Sequence, residues 1–354
     1  MRRRQCLITW LLCLSLTLAL TSCSGSSVEE IGTGETETEE EESIVQVRLT
    51  VATSGNWEDV SRGILFEEYA EKLTEWTDGE VVIQLYDDAE LGDDTQIMNG
   101  VMEGTLCIVN CVPSYMALQV PEAILMDVPA VFESVDEFNS LMETGYLEIM
   151  QEYFLENGLV LLSCVAFDMR QMTSNVPVTS PSDLENLKLR TMDSEYQILF
   201  WETTGATVVP LAFSQVYTAL QLGTIEGQEN PLYYLESNQL GNVQDYVILT
   251  NHLPMISCYA MNQEQYDALE PEYQEALQRF FDEMMSDLVD TTKDENVELL
   301  EWASEIKGME ILEITEDLTE QLEMARDVVF DALREDLGED VVDEYLSYVE
   351  LYSN

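Results

Sequence analysis

Beyond residue 43 the chain alternates apolar runs of strand length with longer stretches of helical periodicity, and this alternation restricts the folds open to it. Residues 45–53 read as a strand and 59–76 as a helix. A turn at Asp78-Gly79 leads into a second strand over 81–86. A helix around 95–103 precedes the apolar run 106–112. Another helix near 135–157 ends at Gly158, a suitable C-cap, before a buried strand at 159–167. The second half repeats the idea. Residues 187–192 alternate apolar side chains with Lys188 and Arg190, a helix-like segment follows, and the apolar run 206–212 leads to a helix near 214–222. Gly227-Gln228-Glu229-Asn230-Pro231 reads as a polar turn. Residues 271–305 read as an unusually long helix, 309–314 as a strand, and 316–351 as two helices broken at Gly338. Strands separated by helices pair through crossovers, so the expected class is α/β with mostly parallel sheets. Roughly three hundred residues suffice for one large or two medium domains.

Charge narrows the function. The formal net charge is −56, from 14 Lys and Arg against 70 Asp and Glu. That excludes nucleic acid as a partner and argues against binding anionic lipid by charge. Such a surface also repels anions at long range, so any anion site must be local. Between Lys72 and Arg279 the only cations are Arg170, Lys188 and Arg190, and Arg190 sits inside an apolar strand pattern. A guanidinium there suits an internal Asp or Glu and a ligand carboxylate equally well, and local pattern does not choose between them.

The first twenty-two residues form an address. Arg2, Arg3 and Arg4 make a basic start, and the apolar segment 7–20 is short for a membrane span. Leu20-Thr21-Ser22-Cys23 resembles the bacterial lipobox, in which the cysteine is lipidated and becomes the mature N-terminus. Cys23 is therefore expected to tether the protein to the bilayer without spanning it. Residues 24–43, rich in Ser, Gly, Thr and Glu, have almost nothing to bury and read as a disordered acidic linker.

Other chemistry finds little footing. Cys107, Cys111, Cys164 and Cys258 lie in apolar runs as small hydrophobes, and whether any pair is bridged stays open. No metal site or cofactor is expected: there is no C-x-x-C, and His252 is the single histidine, read as a hydrogen-bonded core residue. Neither a G-x-S-x-G nor a phosphate loop occurs, so no enzyme is expected. The stripe Leu318, Leu322, Ala325, Val329 and Leu333 has helical spacing and reads as core.

The stretch 187–231 resembles the signature region of the solute-binding proteins of tripartite ATP-independent periplasmic (TRAP) transporters, the DctP-like family. The carriers are Lys188-Leu189-Arg190, then 201–206, 210–221 and 226–231, with Glu226 where the family usually has Asp. The similarity extends to Leu91-Gly92-Asp93-Asp94, to Arg170-Gln171-Met172-Thr173-Ser174-Asn175 and to Thr250-Asn251-His252, covering most of the chain beyond residue 45. It implies a two-lobed periplasmic-binding-protein-like α/β fold, with hinge strands and a long helix spanning both lobes. One lobe would take 44–167 with about 256–295, and the other 168–255 with about 296–354. It also implies a receptor that captures a small organic acid and delivers it to the membrane permease subunits, with a hexuronate-like sugar acid favoured and a C4-dicarboxylate next. Arg190 matches the arginine that pairs with the ligand carboxylate, Arg170 a second arginine, Asn230 a hydrogen-bonding asparagine and Phe213 a lining aromatic. Asn56, Trp57 and Tyr233 are further candidates for the cleft. Val112 stands where some sugar-acid binders carry an acid, which speaks against sialic acid itself. The alternative is the same fold serving as ligand sensor for a chemoreceptor or sensor kinase.

Overall fold

In the computed structural model, which describes residues 47–58 and 60–351, nine strands join in one sheet. They are β1 (Val47–Ala52), β2 (Val81–Tyr86), β3 (Ile108–Cys111), β4 (Leu159–Ser174), β5 (Lys188–Thr191), β6 (Thr207–Pro210), β7 (Gly227–Asn230), β8 (Tyr246–Asn262) and β9 (Glu310–Glu313). The expected leader at 1–22, the lipidated Cys23 and the linker to residue 43 lie outside the described residues. Among the described residues no helix is long and apolar enough to cross a membrane.

The strand order is β2-β1-β3-β8-β4-β7-β5-β6, with β9 beside β8. The β1–β2, β1–β3, β5–β6, β5–β7 and β8–β9 pairs are parallel, as expected of crossover connections. The middle is antiparallel: β8 runs against β3 and β4, and β4 against β7. Two parallel wings therefore meet through two long strands. The outer half of β8 pairs with β3 from Cys258 to Met261, and its other end pairs with β9 from Tyr246 to Leu249. The β4–β8 register slips three times, most strongly where Arg170 pairs with Leu253 and Met172 with Ile248. The extra β8 residues there include Asn251, at φ 41°. The Gln171 side chain fills the gap, donating to Asn251 Oδ1 (2.6 Å) and accepting from the Asn251 N–H (3.0 Å).

Helices close both faces by burying stripes at helical spacing. Ser61–Trp76 buries Phe66, Tyr69 and Leu73, with Phe66 edge-on to Phe280 at 5.3 Å. Phe280 belongs to the long helix Pro271–Glu301, whose Phe281 stacks on Tyr259 of β8 at 4.5 Å. Burial of each such aromatic contributes roughly 1.5–3 kcal/mol. Farther along, Asn296 donates to Asp168 Oδ1 (2.6 Å), and Trp302 just past the helix rests on Gly241, where a Cβ would come within 3.0 Å. The stripe Leu318, Leu322, Ala325, Val329 and Leu333 is buried in Glu316–Leu337, and Gly338 at φ 99° separates it from Glu339–Glu350.

Three expectations need correction. The helix near 135–157 is broken: Val135–Leu141 and Leu147–Glu156 flank a wide turn in which Gly145 takes φ 102°, a backbone conformation that costs glycine little. β4 does not stop at Phe167 but continues to Ser174 through buried polar residues. Gly227–Asn230 is not a turn but the fully buried strand β7, with Gln228 and Glu229 bonded to neighbouring strands and Asn230 to Gln228. The four described cysteines are free thiols, and Cys111, Cys258 and Cys164 fall in register across β3, β8 and β4.

Candidate functional site

The polar half of β4 meets β7 in a buried ion-pair hub. Arg170 Nε donates to Glu229 Oε2 (2.6 Å), while Nη2 donates to Glu229 Oε1 (3.0 Å) and to its backbone carbonyl (2.8 Å). His252 Nε2 lies 3.1 Å from Glu229 Oε2, and its Nδ1 lies 2.8 Å from the Thr250 hydroxyl. Burial pushes the His252 pKa down despite Glu229, so a neutral ring donates from Nε2 and accepts the Thr250 proton at Nδ1. Burial alone would raise the Glu229 pKa, but Arg170 and His252 bring it down to about 2. The expected core role of His252 holds. The structural ion pair that pattern left open for Arg190 belongs instead to Arg170.

Arg190 is 1 % exposed and makes no ion pair among the described residues. Its Nε and Nη2 both donate to the Leu211 carbonyl, at 3.0 and 2.7 Å. β6 ends at Pro210, so this carbonyl, just past the strand, holds the guanidinium in place without neutralising it. Burial disfavours the cation most and Arg170 adds to that, while Tyr115, Glu229 and Asp94 favour it without bonding to it. Phe213 lies 5.9 Å from its Cζ, ring centroid to carbon.

Arg190 and Arg170 open on one pocket together with Asn230 and Phe213, so four of the sequence candidates are brought together. Asn230 donates to Gln228 Oε1 (2.5 Å), Gln228 to Thr173 Oγ1 (2.8 Å) and Thr173 to Gln244 Oε1 (2.8 Å), a chain that fixes the Asn230 amide. Cys111, Val112, Met192, Met255 and Ile256 give the pocket an apolar floor. The pocket takes up about 490 Å³, counting the solvent at its mouth. The walls are drawn in: at Gly55 a Cβ would come within 2.7 Å of the Tyr234 hydroxyl.

Asn56, Trp57 and Tyr233 are not brought to this pocket. Asn56 and Trp57 border a separate acidic depression with Glu58, Glu67 and Asp87. Trp57 is buried, its backbone N–H donating to Asp87 Oδ2 (2.7 Å) and its ring 4.0 Å from the Arg62 Cζ. The helix Tyr233–Ser237 turns Tyr233 toward Phe167 and gives the pocket to its neighbour Tyr234. Sequence reasoning missed Tyr234, Arg62 and Asp94. Asp94 was within reach, since it closes the quoted Leu91-Gly92-Asp93-Asp94. It accepts the Ser54 hydroxyl (2.7 Å), and burial raises its pKa to about 6 although Ser54 and the charge of Arg190 oppose the shift. Arg62 enters from the helix after β1 and carried no signal beyond being a cation in an acidic chain.

The arrangement offers fixed guanidinium and amide donors, a buried acid and aromatic walls around one pocket, the chemistry that holds a small anionic or hydroxylated molecule.

Comparison with known proteins agrees. The model of the family of bacterial extracellular solute-binding proteins, family 7 (DctP), matches residues 57–336. A solute-binding protein of Roseobacter denitrificans is 32% identical over 189 residues, a match that covers 52% of this chain and only 57% of that protein. The ectoine-binding periplasmic protein TeaA of Halomonas elongata is 28% identical over 283 residues, covering 76% of this chain and 79% of its own. The crystal structure of the sugar acid binding protein DctPAm of Advenella mimigardefordensis, in complex with galactonate, superposes with a TM-score of 0.81 at 20% identity, over 87% of this chain and 99% of that one. That likeness is one of fold.

Proposed function

The chain belongs to the bacterial extracellular solute-binding proteins of family 7, and from that premise we propose that it captures a small organic acid for a TRAP permease. The observation that carries this reading is Arg190, a buried guanidinium on the pocket with no carboxylate partner among the described residues. Its two bonds to Leu211 aim it, and a ligand carboxylate supplies the missing charge. Asn230 and Asp94 then read hydroxyl or keto groups, and Phe213 and Tyr234 cover the carbon chain. Arg170 lends a positive field while remaining committed to Glu229. Closure excludes water, which strengthens every one of these contacts.

A sugar acid such as a hexuronate is the first candidate and a C4-dicarboxylate the second; galactonate in the Advenella structure and ectoine in the Halomonas relative both carry a carboxylate. The lobes are 44–167 with about 256–295, and 168–255 with about 296–354, rotating about β4 and β8. Cys23 holds the receptor to the outer face of the membrane by its lipid.

A thermal-shift screen against organic acids and their neutral analogues tests the reading, because binding to the folded state raises the melting temperature by mass action. Acids are expected to shift it and the matching amides or sugars to leave it unchanged. R190Q is expected to weaken acid binding by ~2–5 kcal/mol, as for a desolvated charge pair. Undiminished affinity in R190Q would remove the carboxylate clamp.

A further inference from the structure

Three buried arginines line the pocket, and each is partnered differently. Arg170 has a carboxylate and Arg190 a carbonyl, whereas Arg62 has only neutral side chains and aromatic faces. Its Nη2 donates to Asn110 Oδ1 (3.0 Å) and to the Ser257 hydroxyl. Its Cζ stacks 4.0 Å from the Trp57 ring centre and 4.9 Å from that of Phe167. Its Nε is buried and makes no hydrogen bond of normal geometry among the described residues. After burial, which disfavours the cation, the groups acting most on it are Tyr259, Tyr233 and Tyr234, and Tyr259 also approaches it as a hydrogen-bonding side chain.

Stacking and two neutral acceptors offset part of the cost of burying a guanidinium, but not its charge. A chain with 70 acidic residues has no shortage of partners for a structural arginine. A buried one that lies among tyrosines, with a donor left over and a face on the ligand pocket, is arranged for an acceptor the chain does not carry. Arg62 enters from the β1 wing and Arg190 from β5 in the other, so an occupant meets a free cation on each side of the pocket.

We propose that Arg62 reads a second acidic group, and that the ligand is a hydroxylated dicarboxylate with an acid at each end of a short polyol chain. This rests on the carboxylate-binding reading above and adds to it the second anion and the residue that selects for it. Asp94 and Asn230, on the same pocket, face the hydroxyls.

Matched ligand pairs test the proposal. Galactarate and galactonate differ at one terminus, a carboxylate against a hydroxymethyl group, and succinate and butanoate repeat the comparison without hydroxyls. In calorimetric titrations of the wild-type protein the diacid of a pair is expected to bind ~30-fold or more tighter than its monoacid, the lower range for a desolvated charge pair. R62Q is expected to bring that ratio to within ~3-fold, and R62K, which keeps the charge, to restore part of it. R190Q is expected to weaken both members of each pair. The proposal is overturned if the wild-type protein holds the monoacid as tightly as the diacid, if R62Q scales both equally, or if monoacids bind and diacids do not. The wild-type ratio decides even where a variant fails to fold. Binding of no acid of either kind would bring down the carboxylate reading itself along with the inference, whereas Arg190-dependent binding with an Arg62-independent ratio sinks the inference alone.

Discussion

The two halves of β4 run through the same sheet and are equally buried, yet they are held by different forces. From Leu159 to Phe167 the strand buries Leu161, Leu162, Cys164 and Ala166, with Cys258 and Ala260 opposite. From Asp168 to Ser174 it buries Asp168, Arg170, Gln171, Thr173 and Ser174 against Gln228, Glu229 and Asn230. The first half is secured by apolar surface removed from water, a non-directional gain that tolerates volume-conserving change. The second is secured only if each donor finds its acceptor, since a buried polar group without a partner costs more than its bond contributes. Directionality is what a binding site needs, and the pocket opens on the polar half. The price is fragility to single substitutions.

Breaking the hub gives the largest expected effect. E229A leaves Arg170 charged, buried and unpaired and should destabilise the protein by ~3–5 kcal/mol in urea unfolding. A loss below ~1 kcal/mol would mean that the network adds little beyond packing.

The next effect sharpens the contrast through pH. Burial raises the pKa of Asp168 to about 7 and those of Asp94 and Asp127 to about 6. A carboxyl with a raised folded-state pKa favours the folded state fully below its unfolded value of ~3.9 and loses that stability as pH climbs through the folded value. Glu229, lowered to about 2, contributes fully above its unfolded value and loses stability only in stronger acid. His252, whose pKa burial lowers, opposes this below its unfolded value of ~6.5, but three raised carboxyls outweigh one ring, so going from pH 8 to pH 5 should raise the melting temperature by roughly a few degrees. D168N should flatten that rise, because Asp168 carries the largest of the three shifts. A melting temperature that falls over this window would contradict the assignment.

The smallest effect is the most telling. R190Q, which removes a buried charge with no carboxylate partner, should shift the melting temperature of the ligand-free protein by no more than ~2 °C in either direction. Two arginines on neighbouring parts of one pocket would then divide cleanly, one needed for folding and one for binding. A drop as large as that of E229A would make Arg190 a structural residue as well.

Much of the fold was legible because alternating apolar and helical periods carry it: β2 falls at its expected bounds, and the long helix and the break at Gly338 fall close to theirs. What was illegible is polar and buried. Gly227–Asn230 has the composition of a turn, and only the strands on either side, with Gln228 on Thr173 and Glu229 on Arg170, make it a strand. Arg170 and Arg190 look alike in sequence because the acid that separates their roles lies 59 residues from Arg170. Tyr233 and Tyr234 differ only in helical phase, which a five-residue helix does not reveal in advance. Arg62 carried no signal, since nothing local announces the aromatic rings that cover it.

The meeting of Gly55 with Tyr234 has a kinetic side. Gly55, in the loop after β1, and Tyr234, in the Tyr233–Ser237 helix, stand so close that an occupant wedged behind them has to part the two segments to leave. The residence time of such an occupant depends on how often these two segments separate as well as on its bonds to the pocket. A transport partner that pried these two segments apart would release the cargo without having to compete for the arginines.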